Sequence, residues 1–244
     1  MKSLIKNILQ KLLGMERYLD IFAVFIIRTL RFNKREGDFL YFMKMIKEDG
    51  IILDIGANIG VMTYYLAKHH KKSKVYSFEP VPLNIGTLER IVKKYKLTNV
   101  EICRYALGDE QGEAEIVMPE VDHVKMQGLS HIVHKSISEF NEGSKFKVPI
   151  HRLDDLDFLK DTDKKITAIK LDVENFEYFV LNGGKELVSK HRPLIYSELW
   201  DNDNRIKCFE LMQSLNYSIK ILSDNKLIPF DAKSHQTQNF FFVP

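Results

Sequence analysis

The chain has 244 residues, of which 45% are hydrophobic and 28% are charged, a composition typical of one well-buried α/β domain with an appendage. The net charge is only +3 and no run of Lys or Arg exceeds two residues, so the electrostatic footprint of a nucleic-acid-binding protein is not evident. Cys103 and Cys208 lack metal-site spacing and predict reduced thiols in a cytoplasmic protein.

Residues 1–50 are predicted to form a helical appendage, and residues 51–244 the main domain. One apolar face of a first helix is formed by Leu4, Ile5, Ile8, Leu9, Leu12 and Leu13, opposite Lys2, Lys6, Gln10 and Lys11. A basic amphipathic helix either lies on a membrane surface, here the inner membrane, or packs on the sheet or on a second subunit of a homodimer. Both alternatives stay open at this point.

A second apolar stretch covers residues 18–30. It contains Asp20 and Arg28 and is shorter than the roughly 20 residues that a bilayer span requires. Because no small-residue cleavage site follows it, the stretch does not indicate a signal peptide.

The run from Asp54 to Gly60, Asp-Ile-Gly-Ala-Asn-Ile-Gly, lies between a predicted buried strand and a predicted helix at residues 61–68. Gly56 and Gly60 can take backbone angles closed to other residues and allow a ligand to approach the chain closely. The small residues are two apart, with Asn58 between them. That spacing differs from G-x-G-x-x-G and argues against NAD.

A second acid follows in the next predicted strand, residues 74–80. Glu79 lies 19 residues after Gly60, and in α/β nucleotide folds an acid about 20 residues beyond the glycines holds the ribose hydroxyls. Asp54 and Glu79 on adjacent strand tips therefore predict a nucleotide-type ligand. The alternative is a tight turn flanked by two surface carboxylates.

The middle of the chain continues the alternation of strands and helices. We expect a helix at residues 82–96, a third strand at 100–107 closed by Gly108-Asp109, and a hairpin arm at 112–117.

A long polar connection over residues 119–145 comes next, and it is either a lid over a substrate or an exposed insertion. His131 and His134 lie three apart in it, but no carboxylate or Cys of this connection completes a ligand set, so no metal site is predicted.

Charged residues interrupt an otherwise buried strand that begins at Ile166. Lys170 and Asp172 point to the face opposite Ile169 and Leu171, and a buried charge must be paired or lie at the open carboxyl end of the strand. Glu174 and Glu177 then start a helix that runs toward residue 187. The helix dipole explains Glu177. It does not explain Lys170, Asp172 or Glu174, which remain site candidates.

The next strand, residues 193–200, ends near Glu198. Four acids at strand ends are therefore predicted to converge on one crevice: Asp54, Glu79, Asp172 and Glu198. The tail predicts two closing strands that form an antiparallel hairpin at the sheet edge. The predicted fold is therefore a doubly wound, mostly parallel α/β sheet with an antiparallel edge hairpin.

Five ordered motifs resemble the FkbM family of S-adenosylmethionine-dependent methyltransferases over residues 51–243. They are Asp54-Ile-Gly-Ala-Asn-Ile-Gly60, Phe78-Glu-Pro80, Arg152-Leu-Asp-Asp-Leu156, Ile169-Lys-Leu-Asp-Val-Glu174 and Arg192-Pro-Leu-Ile-Tyr-Ser-Glu198. The resemblance implies a class I, Rossmann-like methyltransferase sheet, S-adenosylmethionine as cofactor, and O-methylation, frequently of a sugar or another hydroxylated metabolite.

The resemblance also implies roles for individual residues. Glu79 would hold the cofactor ribose, and the acceptor side would carry Asp172 and Glu174. The other expected cofactor-binding residues are Asp54, Gly56, Ala57, Asn58, Gly60, Pro80 and Asp109. One departure stands out, because the family usually continues Asp-Val-Glu-Gly-Ala-Glu and this chain has Asn175-Phe176 before its second Glu. We expect the change to alter the backbone beside the acceptor.

Methyl transfer to a hydroxyl calls for alignment of the reacting atoms and for a base. The candidates for the base are Asp172, Glu174, Glu198 and His151, with Lys170 holding Asp172 ionised. Two other classes stay in view. A nucleic-acid methyltransferase would share the sheet, although the chain lacks the Asn/Asp-Pro-Pro-Tyr motif and a basic stripe, and a non-catalytic S-adenosylmethionine-binding module would share the turn.

Overall fold

A computed structural model describes residues 2–121, 124–137 and 141–244. The helices are α1 (Lys2–Leu13), α2 (Met15–Thr29), α3 (Gly37–Met45), α4 (Val61–His69), α5 (Pro82–Tyr95), α6 (Asp157–Lys160), α7 (Glu177–Gly183), α8 (Lys185–His191) and α9 (Asp203–Ser214). Short 3-10 helices lie at Leu30–Phe32, Lys34–Glu36, Gln127–Leu129 and Leu153–Asp155. The strands are β1 (Ile51–Ile55), β2 (Lys74–Phe78), β3 (Val100–Cys103), β4 (Ala106–Leu107), β5 (Gly112–Val121), β6 (Val124–Lys125), β7 (His131–Ile132), β8 (Gly143–His151), β9 (Ile166–Leu171), β10 (Leu194–Glu198), β11 (Ser218–Ser223), β12 (Lys226–Pro229) and β13 (Asn239–Val243).

The larger sheet has the strand order β12-β11-β13-β10-β9-β1-β2-β3. From β3 to β10 every neighbouring pair is parallel, so the carboxyl ends of these strands meet at one edge. Strands are added to the sheet in one direction from β1 to β3 and in the opposite direction from β9 to β10, so the order switches between β1 and β9. Ligands of open α/β sheets bind at such a point.

Both faces of the sheet are covered, as a parallel sheet requires. Ile51, Leu53 and Ile55 of β1 pack in the core on one face, together with α7 and α8. On the opposite face Ile52 packs with residues of α3 and α4. Asp54 shares the face of Ile52, because side chains alternate along a strand.

The predicted pairing of closing strands is confirmed, with a different arrangement at the edge. β13 lies between β10 and β11 and is antiparallel to both, and the edge belongs to β12. β11 and β12 form a tight hairpin in which Asp224 and Asn225 both have positive φ, the turn that matches the twist of a two-residue hairpin.

Two expectations about the middle of the chain are wrong. The third strand ends at Cys103, and β4 pairs instead with β8 in a second, smaller sheet. The connection over residues 119–145 is shorter than expected, because β5 and β8 extend into it as a long antiparallel ribbon. Residues 122–123 and 138–140 of that connection lie outside the described residues.

The helix expected to run from Glu177 toward residue 187 is broken. Gly184 lies between α7, which ends at Gly183, and α8. A Cβ on Gly183 would clash with the carbonyl oxygen of Gly108, so close packing of these two segments explains the glycine.

The N-terminal helices pack on the sheet. Phe39 and Phe42 of α3 are fully buried and pack against Tyr196 of β10, Phe42 with its ring stacked and Phe39 with its ring tilted. Helix α2 buries Leu19 and Ala23 against α5 and α4. The domain boundary at residue 50 stays a prediction, although α3 shares a core with the sheet.

The expected N-terminal helix is confirmed as α1, which contacts the second sheet near β6. The Lys6 amine lies 3.4 Å from the sulfur of Met126, and the Gln10 amide donates to the carbonyl oxygen of Lys125 at 3.4 Å. Among the described residues, none of the helices combines the length and the apolar character needed to cross a bilayer.

Candidate functional site

The turn between β1 and α4 has a left-handed backbone at every second residue. Gly56, Asn58 and Gly60 have φ values of 76°, 50° and 82°. The amides of Gly56 and Ala57 both donate to the carbonyl oxygen of Phe78, at 3.0 and 2.9 Å, which ties the turn to the tip of β2.

The two glycines of this turn serve different purposes. A Cβ on Gly56 would clash with the carbonyl oxygen of Asp172, so Gly56 allows β9 to approach the turn. A Cβ on Gly60 would lie 2.6 Å from Cδ1 of Leu88, and the φ of 82° would strain any residue with a side chain, so the backbone conformation together with packing against α5 favours glycine here.

Glu79 is buried beside the turn and its carboxylate organises it. Oε2 accepts from the amide of Asn58 at 2.8 Å, and Oε1 accepts from the amide of Val81 at 2.9 Å and from the Asn84 side chain at 3.2 Å. Burial raises the pKa of Glu79, and these three donors oppose the shift. A carboxylate has about four acceptor positions, so Glu79 keeps capacity for one more donor.

Asp54 lies beneath the turn, away from the cleft that the turn borders. Its carboxylate is fully buried, and Oδ2 accepts from the Thr63 hydroxyl at 2.6 Å. Oδ1 lies 3.7 Å from the Lys170 amine. Burial raises the pKa of Asp54, while Lys170 and Thr63 act in the opposite direction. The structure therefore places Asp54 as a support of the turn.

Lys170 links the two sides of the site. Its amine is buried, donates to the carbonyl oxygen of Gly56 at 2.8 Å, and lies 3.5 Å from the Asp172 carboxylate. Burial lowers the pKa of Lys170, but the nearby Asp172 and Asp54 outweigh burial, so the pKa is raised and the amine stays charged. The two groups form an ion pair, and the expectation that Lys170 holds Asp172 ionised stays a prediction.

Three acids gather beyond Lys170 at the carboxyl ends of β9 and β10. Burial, with repulsion from Asp172 next, raises the pKa of Glu174 to about 9. The same two causes raise the pKa of Glu198 to about 7. Glu174 and Glu198 repel each other and have only Lys170 as a nearby cation, so ionisation of both at once is disfavoured.

A fourth acid reaches this group from the N-terminal segment. Glu36 is the last residue of the 3-10 helix that precedes α3, and burial followed by repulsion from Asp172 raises its pKa. It also raises the pKa of Glu198. No sequence signal connects residue 36 with strand ends more than 130 residues away, so only the tertiary packing of α3 reveals it.

Asn175 stands where the family motif usually has glycine. It has φ = 73°, in the left-handed region that glycine adopts readily. Asn is one of the residues that tolerate it. Its side-chain oxygen also accepts from Asn202 at 2.9 Å and from Asn204 at 3.2 Å. The expectation of a changed backbone stays a prediction.

Glu177 is a structural acid. It is 2% exposed, and Oε1 accepts from the amide of Val173 at 2.9 Å. Burial raises its pKa to about 8. The helix-dipole explanation given from the sequence omits this burial.

A cleft of about 610 Å³ of empty space, part of it open to solvent, lies between the turn and the acids. Gly56, Asn58, Glu79 and Pro80 line it on one side, and Asp172 and Glu174 on the other. Four buried polar atoms of its lining have no hydrogen-bond partner: Oδ1 of Asn58, Oδ1 of Asn84, Oε1 of Gln127 and Oγ of Ser130.

Such atoms are costly to leave unpaired, so this lining suits a polar ligand. The sequence reasoning missed Asn84, Gln127 and Ser130. Asn84 carried one usable signal, since it lies in the first turn of the helix that follows Glu79.

Other predicted site residues lie elsewhere. Asp109 accepts from the Asn182 side chain at 3.2 Å and does not line the cleft. His151 packs edge-on against Tyr105, with ring centroids 4.6 Å apart, and is also outside it. Ala57 is buried within the turn.

The two histidines of the connection do not act together. His131 bonds with Leu129 and Asn141, whereas His134 bonds with Ser136. Among the described residues no group of three or more His, Cys, Asp or Glu side chains is arranged to hold a metal ion. Cys103 and Cys208 are both free and buried.

The protein-family model described as the methyltransferase FkbM domain matches residues 54–220, which is more than half of the chain. The chain belongs to the FkbM methyltransferase family. This confirms the resemblance drawn from the five motifs, and the matched region contains the turn, Glu79, Lys170, Asp172 and Glu198.

Two relatives and one solved structure illustrate the similarity. Methyltransferase 1 of Beauveria bassiana is 28% identical over 173 residues, 65% of this chain and 66% of the relative. The 2-O-methyltransferase NoeI of Sinorhizobium fredii is 29% identical over 172 residues, 64% of this chain and 66% of the relative. The crystal structure of a methyltransferase FkbM from Methylobacillus flagellatus has a TM-score of 0.55 at 16% identity, covering 83% of this chain and 48% of that one.

This structural likeness establishes the fold, and the class I methyltransferase sheet expected from the sequence is confirmed. The chain spans about two thirds of the length of the two relatives and about half of the solved structure.

Proposed function

We propose that this FkbM-family protein is an S-adenosylmethionine-dependent O-methyltransferase whose acceptor is a hydroxyl group of a sugar, a glycan or a related small metabolite. The cleft with its four unpartnered polar atoms carries the proposal. It lies where the strand order reverses, and a turn with left-handed residues and a buried Glu borders it.

The residues of the cleft fit this cofactor. Its ribose has hydroxyl donors, and Glu79 keeps an acceptor position for one of them. The unpartnered oxygens of Asn58 and Asn84 can accept from amino or hydroxyl groups. Asp172 and Glu174 would face the positive end of the molecule. S-adenosylmethionine supplies a methyl group activated by attachment to a sulfonium sulfur.

The acids beyond Lys170 would handle the proton of the acceptor. A hydroxyl group loses its proton most readily to a base whose pKa lies near the working pH, and the pKa of Glu198 is raised to about 7. Lys170 orients Asp172 from 3.5 Å and so fixes one wall of the acceptor side. One relative is named a 2-O-methyltransferase, which supports oxygen as the atom that receives the methyl group.

Titration calorimetry with S-adenosylmethionine tests the cofactor assignment. Glu79→Ala removes a charged acceptor and leaves the Asn58 amide unpaired, so we expect binding at least about tenfold weaker than wild type. Glu89→Ala is the matched control, because Glu89 lies on the following helix and pairs with Arg104 at the surface. Unchanged affinity in Glu79→Ala would reject the ribose assignment.

A labelled-methyl assay over glycans and small hydroxylated compounds tests the reaction. We expect label on an acceptor oxygen, and Asp172→Asn to lower the turnover more than the cofactor affinity. Cofactor binding without transfer to any of these acceptors would favour a non-catalytic binding module. Label in RNA or DNA would favour a nucleic-acid methyltransferase.

A further inference from the structure

Exposed apolar side chains concentrate in the N-terminal segment. Among the described residues, six of the eight large apolar side chains that are exposed lie between residues 8 and 32. They are Ile8, Leu9, Leu12, Ile21, Phe25 and Phe32. Single exposed apolar residues are ordinary, but this concentration marks a contact surface.

Helix α2 presents two opposite apolar faces. One face, with Leu19 and Ala23, is buried against the protein. On the other, Ile21 and Phe25 are each 58% exposed, and Phe32, 72% exposed, follows just beyond the helix. Residues 21 and 25 are one helical turn apart and therefore lie side by side. We call Ile21, Phe25 and Phe32 the apolar ridge.

A groove lined by cations adjoins this ridge. Its charged lining consists of Arg28, Arg31, Lys44, Lys68 and Lys94, and no carboxylate of the described residues lines it. None of these five cations forms an ion pair within the described part of the chain. We call these five residues the basic groove.

The ridge and the groove are continuous. Arg28 lines the basic groove and also the apolar depression that contains Ile21 and Phe25. The Arg31 guanidinium lies 4.7 Å from the ring centroid of Phe32. Tyr64 and Tyr95 also line the groove. Tyrosine has an apolar ring and a polar tip, and it is enriched where proteins meet the membrane interface.

The charge of the chain is distributed unevenly, in a way that matches this surface. Residues 1–35 contain eight Lys or Arg and two Asp or Glu, a net charge of +6, whereas the whole chain has +3. The remainder of the chain is therefore negative. An occupant of this surface must be anionic beside the groove and apolar beside the ridge. Anionic phospholipid meets both conditions, and nucleic acid offers nothing that covers Ile21 and Phe25.

We propose that the apolar ridge and the basic groove dock the protein on the surface of an anionic phospholipid bilayer. The ridge side chains enter the boundary between headgroups and acyl chains. The cations of the groove contact lipid phosphates.

Vesicle flotation of the full chain tests this proposal. We expect wild type to float with phosphatidylcholine vesicles that contain about a third phosphatidylglycerol and not with pure phosphatidylcholine, and to be released by high salt. Phe25→Gln/Phe32→Gln should weaken partitioning at least about tenfold through lost apolar contact. Arg31→Gln/Lys68→Gln should weaken it about twenty-five-fold, at about fivefold for each cation.

Matched variants at the far edge of the protein serve as controls. Ile206→Gln removes another exposed apolar side chain, and Lys226→Gln/Lys233→Gln removes two exposed cations near β12. Both should float like wild type. Unchanged thermal midpoints establish that the variants fold, and Ile21→Gln provides a second ridge variant.

Three results would overturn the proposal. The first is that wild type binds neither vesicle, or binds both equally. The second is that the control variants lose binding as much as the ridge and groove variants. The third is that wild type ignores vesicles but binds an RNA oligonucleotide, or forms a dimer that Phe25→Gln/Phe32→Gln dissociates.

Discussion

Glu177 shows how one buried carboxyl group makes stability depend on pH. Its pKa is about 8 in the folded protein and its ordinary value is 4.5, and burial is the main cause of the difference. Between these two values the folded state holds a proton that the unfolded state has released. The free energy of unfolding therefore falls as the pH rises from 4.5 through 8.

Glu177→Gln should remove this contribution. The Gln side chain can still accept from the Val173 amide, and it has no charge to bury. We expect the variant to gain stability relative to wild type as the pH rises through this window, by on the order of a few kcal/mol at pH 8. Urea unfolding at several pH values measures this difference. Glu186→Gln, at an exposed position in α8, should follow wild type, and parallel curves for Glu177→Gln and wild type would contradict the prediction.

At the residue scale, the sequence located the acids but not the directions of their side chains. Glu79 lies beside the cleft as the 19-residue spacing predicted. Asp54 was expected there too, and it faces Thr63 instead. Alternation along β1 predicts the face of the sheet on which the Asp54 side chain lies. Whether that side chain reaches the cleft or is covered depends on the packing of α4 and Lys170 against it. Those contacts are set by tertiary packing.

Among the local elements, the turn after β9 depends on two consecutive left-handed residues. Glu174 and Asn175 have φ values of 54° and 73°. A left-handed conformation costs an ordinary residue about 1–2 kcal/mol, and glycine avoids this cost. Asn175 combines tolerance of the conformation with hydrogen bonds to Asn202 and Asn204, which fasten the turn to the start of α9.

Substitutions at Asn175 should separate these two contributions. Both variants lose the side-chain bonds, but only Asn175→Ala also meets the cost of the left-handed backbone. We expect Asn175→Ala to be less stable than Asn175→Gly by about 1 kcal/mol. At Asn182, inside α7, the order should reverse, because alanine favours a helix over glycine by about 1 kcal/mol. Thermal or urea unfolding of the four variants gives both differences, and the same order at both positions would contradict the backbone argument.

Elements built from local pattern were predicted well, and elements that depend on distant pairing were not. The helix expected at residues 82–96 forms at Pro82–Tyr95. By contrast, β5 pairs with β8 across a polar connection, and no sequence pattern within residues 119–145 predicts that β8 is the partner of β5. Strand β8 also pairs with β4, so residues 106–107, which were expected to continue the third strand, belong to the second sheet.

Over the whole molecule, the N-terminal segment turns two different faces to its surroundings. Its inner side completes the core through Phe39 and Phe42 and brings Glu36 to the acids at the strand ends. Its outer side carries the apolar ridge. Helical spacing predicted the helices. The sequence alone did not show which face of each helix is buried, because burial depends on which other elements of the chain pack against that helix.

The gathering of Asp172, Glu174, Glu198 and Glu36 around one lysine has a consequence for ligand exchange. The pKa of Glu174 is raised to about 9 and that of Glu198 to about 7, so these two groups hold protons near neutral pH that isolated carboxyl groups would release. A cation that enters the cleft favours the ionised forms, so its binding expels protons, and its affinity increases with pH.

S-adenosylmethionine is cationic at sulfur, and the demethylated product is not. The binding heat of S-adenosylmethionine should therefore depend on the ionisation enthalpy of the buffer much more than that of S-adenosylhomocysteine does. Calorimetry of both ligands in phosphate and in Tris measures this, and equal buffer dependence would contradict it. Each turnover would then return protons to the carboxyl groups as the positive charge disappears, so the site would discriminate spent from fresh cofactor by protonation.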